Sequence, residues 1–186
     1  MRDTVQQARS ITGIGDNRND LDYYITPPRA TQALLKVEQF SGSIWEPACG
    51  NGSISRVLVE AGYKDVRSTD LVDRGYGVGG VDFFFAPYTA NCIITNPPFR
   101  WSLDFLERSL IVADTKVAFL LKLSFLEGVQ RAAMFTRTPL KKVWVFSKRL
   151  TMSGPDNPIT GGGMITFAWF VWEHGYTGEP TIGWLP

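Results

Sequence analysis

The 186-residue chain is poor in cysteine and histidine and carries almost no net charge. Its two cysteines, Cys49 and Cys92, are too few for a disulfide framework or a four-thiolate metal set, and the single His174 excludes a histidine-rich metal centre. No metal is expected, and the cysteine usage reads as that of a reduced, intracellular protein. Nineteen Lys and Arg against eighteen Asp and Glu leave a formal charge of +1, which excludes a field strong enough to wrap a polyanion, so any nucleic-acid contact must be local. Long hydrophobic runs are also missing. The longest are broken by Lys122, Glu127 or Glu173, and the opening MRDTVQQARS has no apolar signal core. The expectation is a cytoplasmic protein without a transmembrane segment. What is present is a hydrophobic fraction of 44%, with six Trp and twelve Phe, enough for a sizeable core in one globular domain.

Residues 1–22 mix Arg2, Arg9 and Arg18 with acids and show little periodicity, so they are expected to form an arm preceding a single domain over 23–186. Thr26-Pro27-Pro28 ahead of Ala30, Leu34, Leu35, Val37 and Phe40 reads as a capped helix start. Ser43–Trp45 reads as a strand, Glu46–Ser53 as a turn of small residues, and Ile54, Val57, Leu58 and Ala61 as one face of a helix that Gly62 can end. Further strands are expected at 65–69, 92–95, 116–122, 140–146 and 165–172, with helical segments after Pro98 and over 125–135. Leu71–Gly80, with four glycines, reads as a loop, and Ser153–Gly163 belongs to an insertion spanning 151–163. Strands alternating with helices predict an α/β domain with a largely parallel sheet.

Two punctuation marks stand out. In Trp45-Glu46-Pro47-Ala48-Cys49-Gly50-Asn51-Gly52, Gly50 and Gly52 permit a tight turn and close approach of a ligand, while Glu46 places an acceptor beside them. By itself this is equally compatible with an ordinary tight connection. The spacing is not that of a dinucleotide or phosphate loop. The second mark is Asn96-Pro97-Pro98-Phe99, which breaks the 92–95 strand abruptly.

Taken together and in this order, these motifs carry a resemblance. EPACGNGSI resembles the cofactor-binding motif of adenine-specific DNA methyltransferases that use S-adenosylmethionine, and Asn96-Pro97-Pro98-Phe99 resembles their catalytic Asn/Asp-Pro-Pro-Tyr/Phe motif. Tyr24-Ile25-Thr26-Pro27-Pro28 is similar to the family segment that closes over the methionine end of the cofactor, and FAWFVWEHGYTGEPTIGWL resembles the last strand region of small phage or prophage methylases. The resemblance covers roughly 21–186. It implies a Rossmann-like S-adenosylmethionine-dependent methyltransferase fold, a mixed seven-stranded sheet with helices on both faces. It implies that Glu46 orients the methionine ammonium, that Pro47, Ala48, Cys49, Gly50, Asn51 and Gly52 line the cofactor, and that Tyr24 and Thr26 close over it. Asp70, with Asp73 as the alternative, is the implied partner of the ribose hydroxyls. Asp82 is the implied acceptor for the adenine amine, and Phe83 or its neighbour Phe84 the ring that packs there; the Phe83–Phe85 run is also compatible with a core role.

The implied reaction places a methyl group on the exocyclic N6 amine of a flipped adenine. That amine's lone pair is drawn into the ring, so two acceptors, the Asn96 side-chain oxygen and the Pro97 carbonyl, would steer its hydrogens and expose the lone pair. Pro97 and Pro98 stiffen the loop, and Phe99 would stack on the extruded base. DNA is the expected polymer, with RNA adenine methylation and a catalytically impaired nucleic-acid-binding module as alternatives. Arg100, Trp101, Lys148 and Arg149, with the 151–163 insertion, form a plausible polymer-facing edge; a solvated loop with an ordinary core tryptophan is the plainer reading. The length leaves no room for a separate target-recognition domain, so a short site, low specificity or a separate specificity partner is expected. Cys49 and Cys92 read as buried thiols, and His174 as a packing or solvent-facing residue.

Overall fold

A computed structural model describes residues 22–152 and 165–186. The expected arm lies outside the described residues apart from Asp22, and the expected insertion apart from Thr151 and Met152. Helix α1 (Pro28–Leu35) starts on a proline, a position where no hydrogen bond is lost. Thr26 does not cap it. The N-cap is Pro27, no side chain bonds the helix start, and the Thr26 hydroxyl turns instead to Asn96. The helix also stops before Val37 and Phe40.

Strand β1 (Ile44–Glu46) leads through the glycine turn into helix α2 (Ser53–Glu60). Gly62, at φ +99°, closes α2: its N–H donates to the Val59 carbonyl and the Tyr63 N–H to the Leu58 carbonyl, the paired bonds of a left-handed C-terminal stop. Strands β2 (Val66–Ser68) and β3 (Ala90–Thr95), helix α3 (Ser102–Val112) and strand β4 (Ala113–Lys122) follow. The helix expected over 125–135 is broken in two. A single 3-10 turn covers Leu123–Leu126, Gly128 sits at φ +114°, where an α-helix cannot continue, and helix α4 (Val129–Arg137) starts after it. Strands β5 (Leu140–Phe146), β6 (Phe167–Glu173) and β7 (Thr181–Leu185) complete the chain.

The seven strands form one mixed sheet in the order β2-β1-β3-β4-β6-β5-β7, as the resemblance implies. Only β6 runs against its neighbours; every other adjacent pair is parallel. Alternation along the central strands feeds two cores. Val117, Phe119 and Leu121 of β4 and Ala168, Phe170 and Trp172 of β6 pack with Phe105 and Leu106 of α3 and Met134 of α4. Ala118, Leu120, Trp169 and Val171 face the other way, onto Ala30 and Leu34 of α1 and Ile54 and Leu58 of α2. A sheet covered on both faces explains why β6 reads as a continuous apolar run. Trp169 Nε1 donates to the Ala30 carbonyl at 2.9 Å, which locks α1 to the sheet. Because β1, β2, β3, β4 and β5 run in one direction, their carboxyl ends and the loops that follow share one sheet edge. Among the described residues no helix is long and apolar enough to cross a membrane.

Candidate active site

The loop after β1 is held by its backbone and by β2. The Gly52 N–H donates to the Cys49 carbonyl at 2.8 Å, closing a tight turn, and the Cys49 N–H reaches the Thr69 carbonyl at 2.9 Å. Gly50 and Gly52 have φ of +54° and +83°. A Cβ at Gly50 would stand 2.6 Å from the Tyr23 ring, and one at Gly52 2.4 Å from the Tyr76 ring. Glycine is thus demanded twice at each position, by conformation and by an aromatic cover. Asp70, just past β2, accepts the Gly50 N–H on Oδ2 at 2.7 Å and the Val72 N–H on Oδ1 at 2.9 Å. Each of its oxygens keeps a second lone pair for a ligand. Asp73, the alternative acid, is exposed; its Oδ1 accepts the Gly75 N–H, and it lies off the cavity wall.

Glu46 ends β1 and is buried, with 1% of its surface exposed. Its Oε2 accepts the Ser55 N–H at 2.8 Å and the Ser55 hydroxyl. Burial pushes its pKa up to about 8; the two Ser55 bonds oppose that rise and the nearby Asp70 charge adds to it. A carboxyl held neutral by burial ionises when a cation is placed beside it. Cys49, on the same loop, is buried, and its thiol is pushed up to about 12 by burial and by the Glu46 and Asp70 charges. It is therefore no nucleophile.

These groups line a cavity of about 480 Å³ at the sheet edge. Of the residues picked out in the sequence, Tyr24, Thr26, Glu46, Pro47, Ala48, Cys49, Gly50 and Asn51 contribute to its wall, with Asp70, Asp82, Phe83, Asn96, Pro98, Arg100 and Trp101. Asp82 Oδ1 accepts the Phe84 N–H at 2.9 Å. Phe83 belongs to the core, stacking on Phe105 at 4.7 Å and meeting Trp45 edge-on at 5.0 Å, and it also reaches the cavity wall. Phe84 also lines the wall, and Phe85 is exposed.

Asn96 follows β3 and faces the same cavity. Its Nδ2 donates to the Thr26 hydroxyl at 3.1 Å, while its Oδ1 is buried with no hydrogen-bond partner among the described residues. A buried acceptor left unpaired is costly, and at a cavity wall it marks where a donor belongs.

Five expected residues stand off the wall. Gly52 caps α2 beneath Tyr76, and Pro97 is buried. Phe99 is half-buried between Tyr24 at 5.6 Å and Phe167 at 6.0 Å, with Lys122 Nζ 4.4 Å above its ring. Lys148 and Arg149 are exposed beyond the carboxyl end of β5, on the cavity's sheet edge but not in it, and the Arg149 carbonyl accepts from Arg29 Nη2 at 2.7 Å. Sequence reasoning missed Tyr23, Arg74 and Tyr76. The signal available was an arginine and a tyrosine set among the glycines of 71–80, a segment read as a loop in which only Asp73 was singled out. That segment is closed on itself, Val78 N–H to the Ser68 carbonyl and Val81 N–H to the Asp70 carbonyl, each at 3.0 Å, and Leu71, Val72 and Arg74 from it line the cavity while Tyr76 covers Gly52.

No protein-family model matches the sequence, and no curated protein matches it. The fold has clear counterparts among solved structures. A candidate RNA methyltransferase from Pyrococcus horikoshii superposes with a TM-score of 0.67 at 14% identity, covering 92% of this chain and 96% of that one. The modification subunit of a candidate type I restriction enzyme from Vibrio vulnificus gives 0.57 at 12% identity, over 96% of this chain and 48% of that subunit, so the chain spans about half its length. Magnesium protoporphyrin IX methyltransferase from Synechocystis, solved with bound S-adenosylmethionine, gives 0.53 at 11% identity over 91% and 90%. The chain therefore has the Rossmann-like fold of the S-adenosylmethionine-dependent methyltransferases.

Proposed function

We propose that this protein transfers a methyl group from S-adenosylmethionine to the exocyclic N6 amine of an adenine extruded from DNA. The observation that carries the reading is the unpaired, buried Asn96 Oδ1 in the wall of a cavity that also holds Glu46, Asp70 and Asp82. The cavity volume falls in the range of small-molecule sites, roughly 300–1,000 Å³. Its donor set fits the cofactor: a buried carboxyl for an ammonium, an acid with spare lone pairs for vicinal hydroxyls, a second acid for an amine, and Phe83 and Phe84 for a ring. The motif pair favours adenine, and the likenesses to a modification subunit and to a candidate RNA methyltransferase favour a nucleic-acid substrate.

When bound, S-adenosylmethionine supplies an electrophilic methyl group. Glu46 takes the ammonium and ionises as it does so. Asp70 remains the partner for the ribose hydroxyls, and Asp82 for the adenine amine. Asn96 Oδ1 and the Pro97 carbonyl accept the two hydrogens of the target amine, turning its lone pair out of conjugation and toward the methyl carbon. As the N–C bond forms, the S–C bond to the methyl group would break with its electron pair kept by sulfur, and the methylated amine, acidic once cationic, would lose one proton to water, so placement replaces a strong base. Thr26 accepts a hydrogen bond from Asn96 Nδ2, which holds the amide in the orientation that aims Oδ1 at the amine. Phe99 offers a ring face to the base once Lys122 withdraws from it, and Arg100, Lys148 and Arg149 meet phosphates.

The test is transfer of a labelled methyl group to duplex DNA, single-stranded DNA and structured RNA, followed by nucleoside mass analysis. N6-methyladenine in DNA is expected, falling by about 10²–10³-fold in Asn96→Ala, while cofactor affinity stays within about threefold. Product confined to RNA refutes the polymer assignment and keeps the chemistry. Cofactor binding without product on any polymer points to a binding module or to a missing specificity partner.

A further inference from the structure

The cavity wall holds four carboxyl groups, from Asp22, Glu46, Asp70 and Asp82, and two guanidinium groups, from Arg74 and Arg100. Arg100 is already engaged by Asp22, whose Oδ2 accepts the Arg100 backbone N–H at 3.2 Å and lies 3.9 Å from its Nε. Arg74 differs. Among the described residues it takes part in no ion pair, although it shares the wall with four acids. Its Nε is buried and has no hydrogen-bond partner among the described residues. The guanidinium instead lies over the Tyr23 ring, its Cζ 3.9 Å from the centroid, and the Tyr23 ring in turn covers Gly50. The order is glycine loop, tyrosine, arginine. A buried N–H of a charged group without an acceptor is costly, and a guanidinium reserves its strongest bonds for a carboxylate or phosphate.

The proposed cofactor carries two cationic groups and one anion. The ammonium and the carboxylate sit on the same carbon, so whatever binds the carboxylate must stand close to Glu46 and to the glycine loop above it. Asp22, Asp70 and Asp82 repel an anion there, and Glu46, neutral or paired with the ammonium, offers it nothing. We infer that Arg74, held on the Tyr23 ring, binds the carboxylate at the methionine end of the cofactor and makes the site selective for ligands that keep the amino-acid group. This rests on the cofactor reading given above.

Calorimetric titration of the full chain with two ligands tests it. S-adenosylhomocysteine has the carboxylate; 5′-methylthioadenosine has the same adenosyl and thioether parts without it. In Arg74→Met the affinity for S-adenosylhomocysteine should fall at least about tenfold, the loss expected for a charge-assisted bond, while that for methylthioadenosine changes less than about twofold. Arg74→Lys, which keeps the charge without the fork, should fall between wild type and Arg74→Met for the first ligand only. Retained methylthioadenosine binding shows that each variant is folded. Equal losses for both ligands, or no loss for either, overturn the assignment of Arg74. A wild-type protein that binds neither ligand overturns the cofactor reading itself, an outcome distinct from failure of the Arg74 assignment alone.

Discussion

Glu46→Gln separates what the Glu46 carboxyl does for folding from what it does for a ligand. In the unfolded chain this group titrates near 4.5, and in the folded protein burial holds it up to about 8. A raised pKa means the folded state keeps a proton that the unfolded state gives up. The contribution of Glu46 to stability is therefore fully present below pH 4.5, declines as pH rises, and reaches its minimum above about 8. At about 1.4 kcal/mol per pH step, the apoprotein forfeits about 3 kcal/mol by pH 7 and between about 4 and 5 kcal/mol by pH 9. Glutamine has the same shape and does not ionise. It also keeps an acceptor for the Ser55 N–H that now bonds Glu46 at 2.8 Å. Urea unfolding of both proteins from pH 4.5 to 9 should show their stability difference moving in favour of Glu46→Gln by those amounts. Binding supplies a second readout. At pH 7 the wild type should release about one proton when S-adenosylhomocysteine binds, read from the buffer dependence of the binding heat, and Glu46→Gln should release none. A stability difference that stays within about 1 kcal/mol across the whole pH range would falsify the claim that the fold keeps Glu46 neutral.

Gly50→Ala forces a side chain into φ +54° and sets a Cβ 2.6 Å from the Tyr23 ring. It should lower cofactor affinity by about tenfold or more and destabilise the fold by about 1–2 kcal/mol, checked by calorimetry and thermal unfolding; unchanged affinity would mean that the loop carries no ligand. Phe99→Ala removes a ring that stands off the cofactor cavity but next to Asn96. It should leave S-adenosylhomocysteine binding within about twofold and cut methyl transfer by roughly 5- to 150-fold, the range of one lost base stack. The opposite pattern would move Phe99 from the target side to the cofactor side.

Much of the site was legible because it is local. Gly50 and Gly52 permit the positive φ of a tight turn, Asn96-Pro97-Pro98 interrupts a strand, and Gly62 permits the left-handed stop of a helix. The apolar spacing in 53–60, 102–112 and 140–146 follows from the geometry of helices and strands alone. Where local rules competed, reading from sequence failed. Thr26 ahead of two prolines looks like a helix cap, yet its hydroxyl serves Asn96, 70 residues away. The apolar pattern over 125–135 ignored Gly128, whose φ of +114° splits it. The β7 strand in the tail was not separated from β6, because an edge strand exposed at Ile182 and Trp184 lacks the apolar continuity of a buried one.

The sequence by itself determined the alternation of strands and helices as far as β6, the two motif-bearing loops and the scarcity of cysteine and histidine, since these depend on residue type and near-neighbour geometry. The tertiary structure alone decided the rest. It set the reversed direction of β6 between β4 and β5, the Tyr23 cover on Gly50, the Arg74 guanidinium on Tyr23, and the Asp70 bond to the Gly50 amide. It also made Glu46 a buried proton-holding acid and left Asn96 with one satisfied and one waiting atom. Burial and the pairing of distant polar groups are properties of the assembled sheet edge. They depend on which loops converge there, and no window of neighbouring residues contains that information.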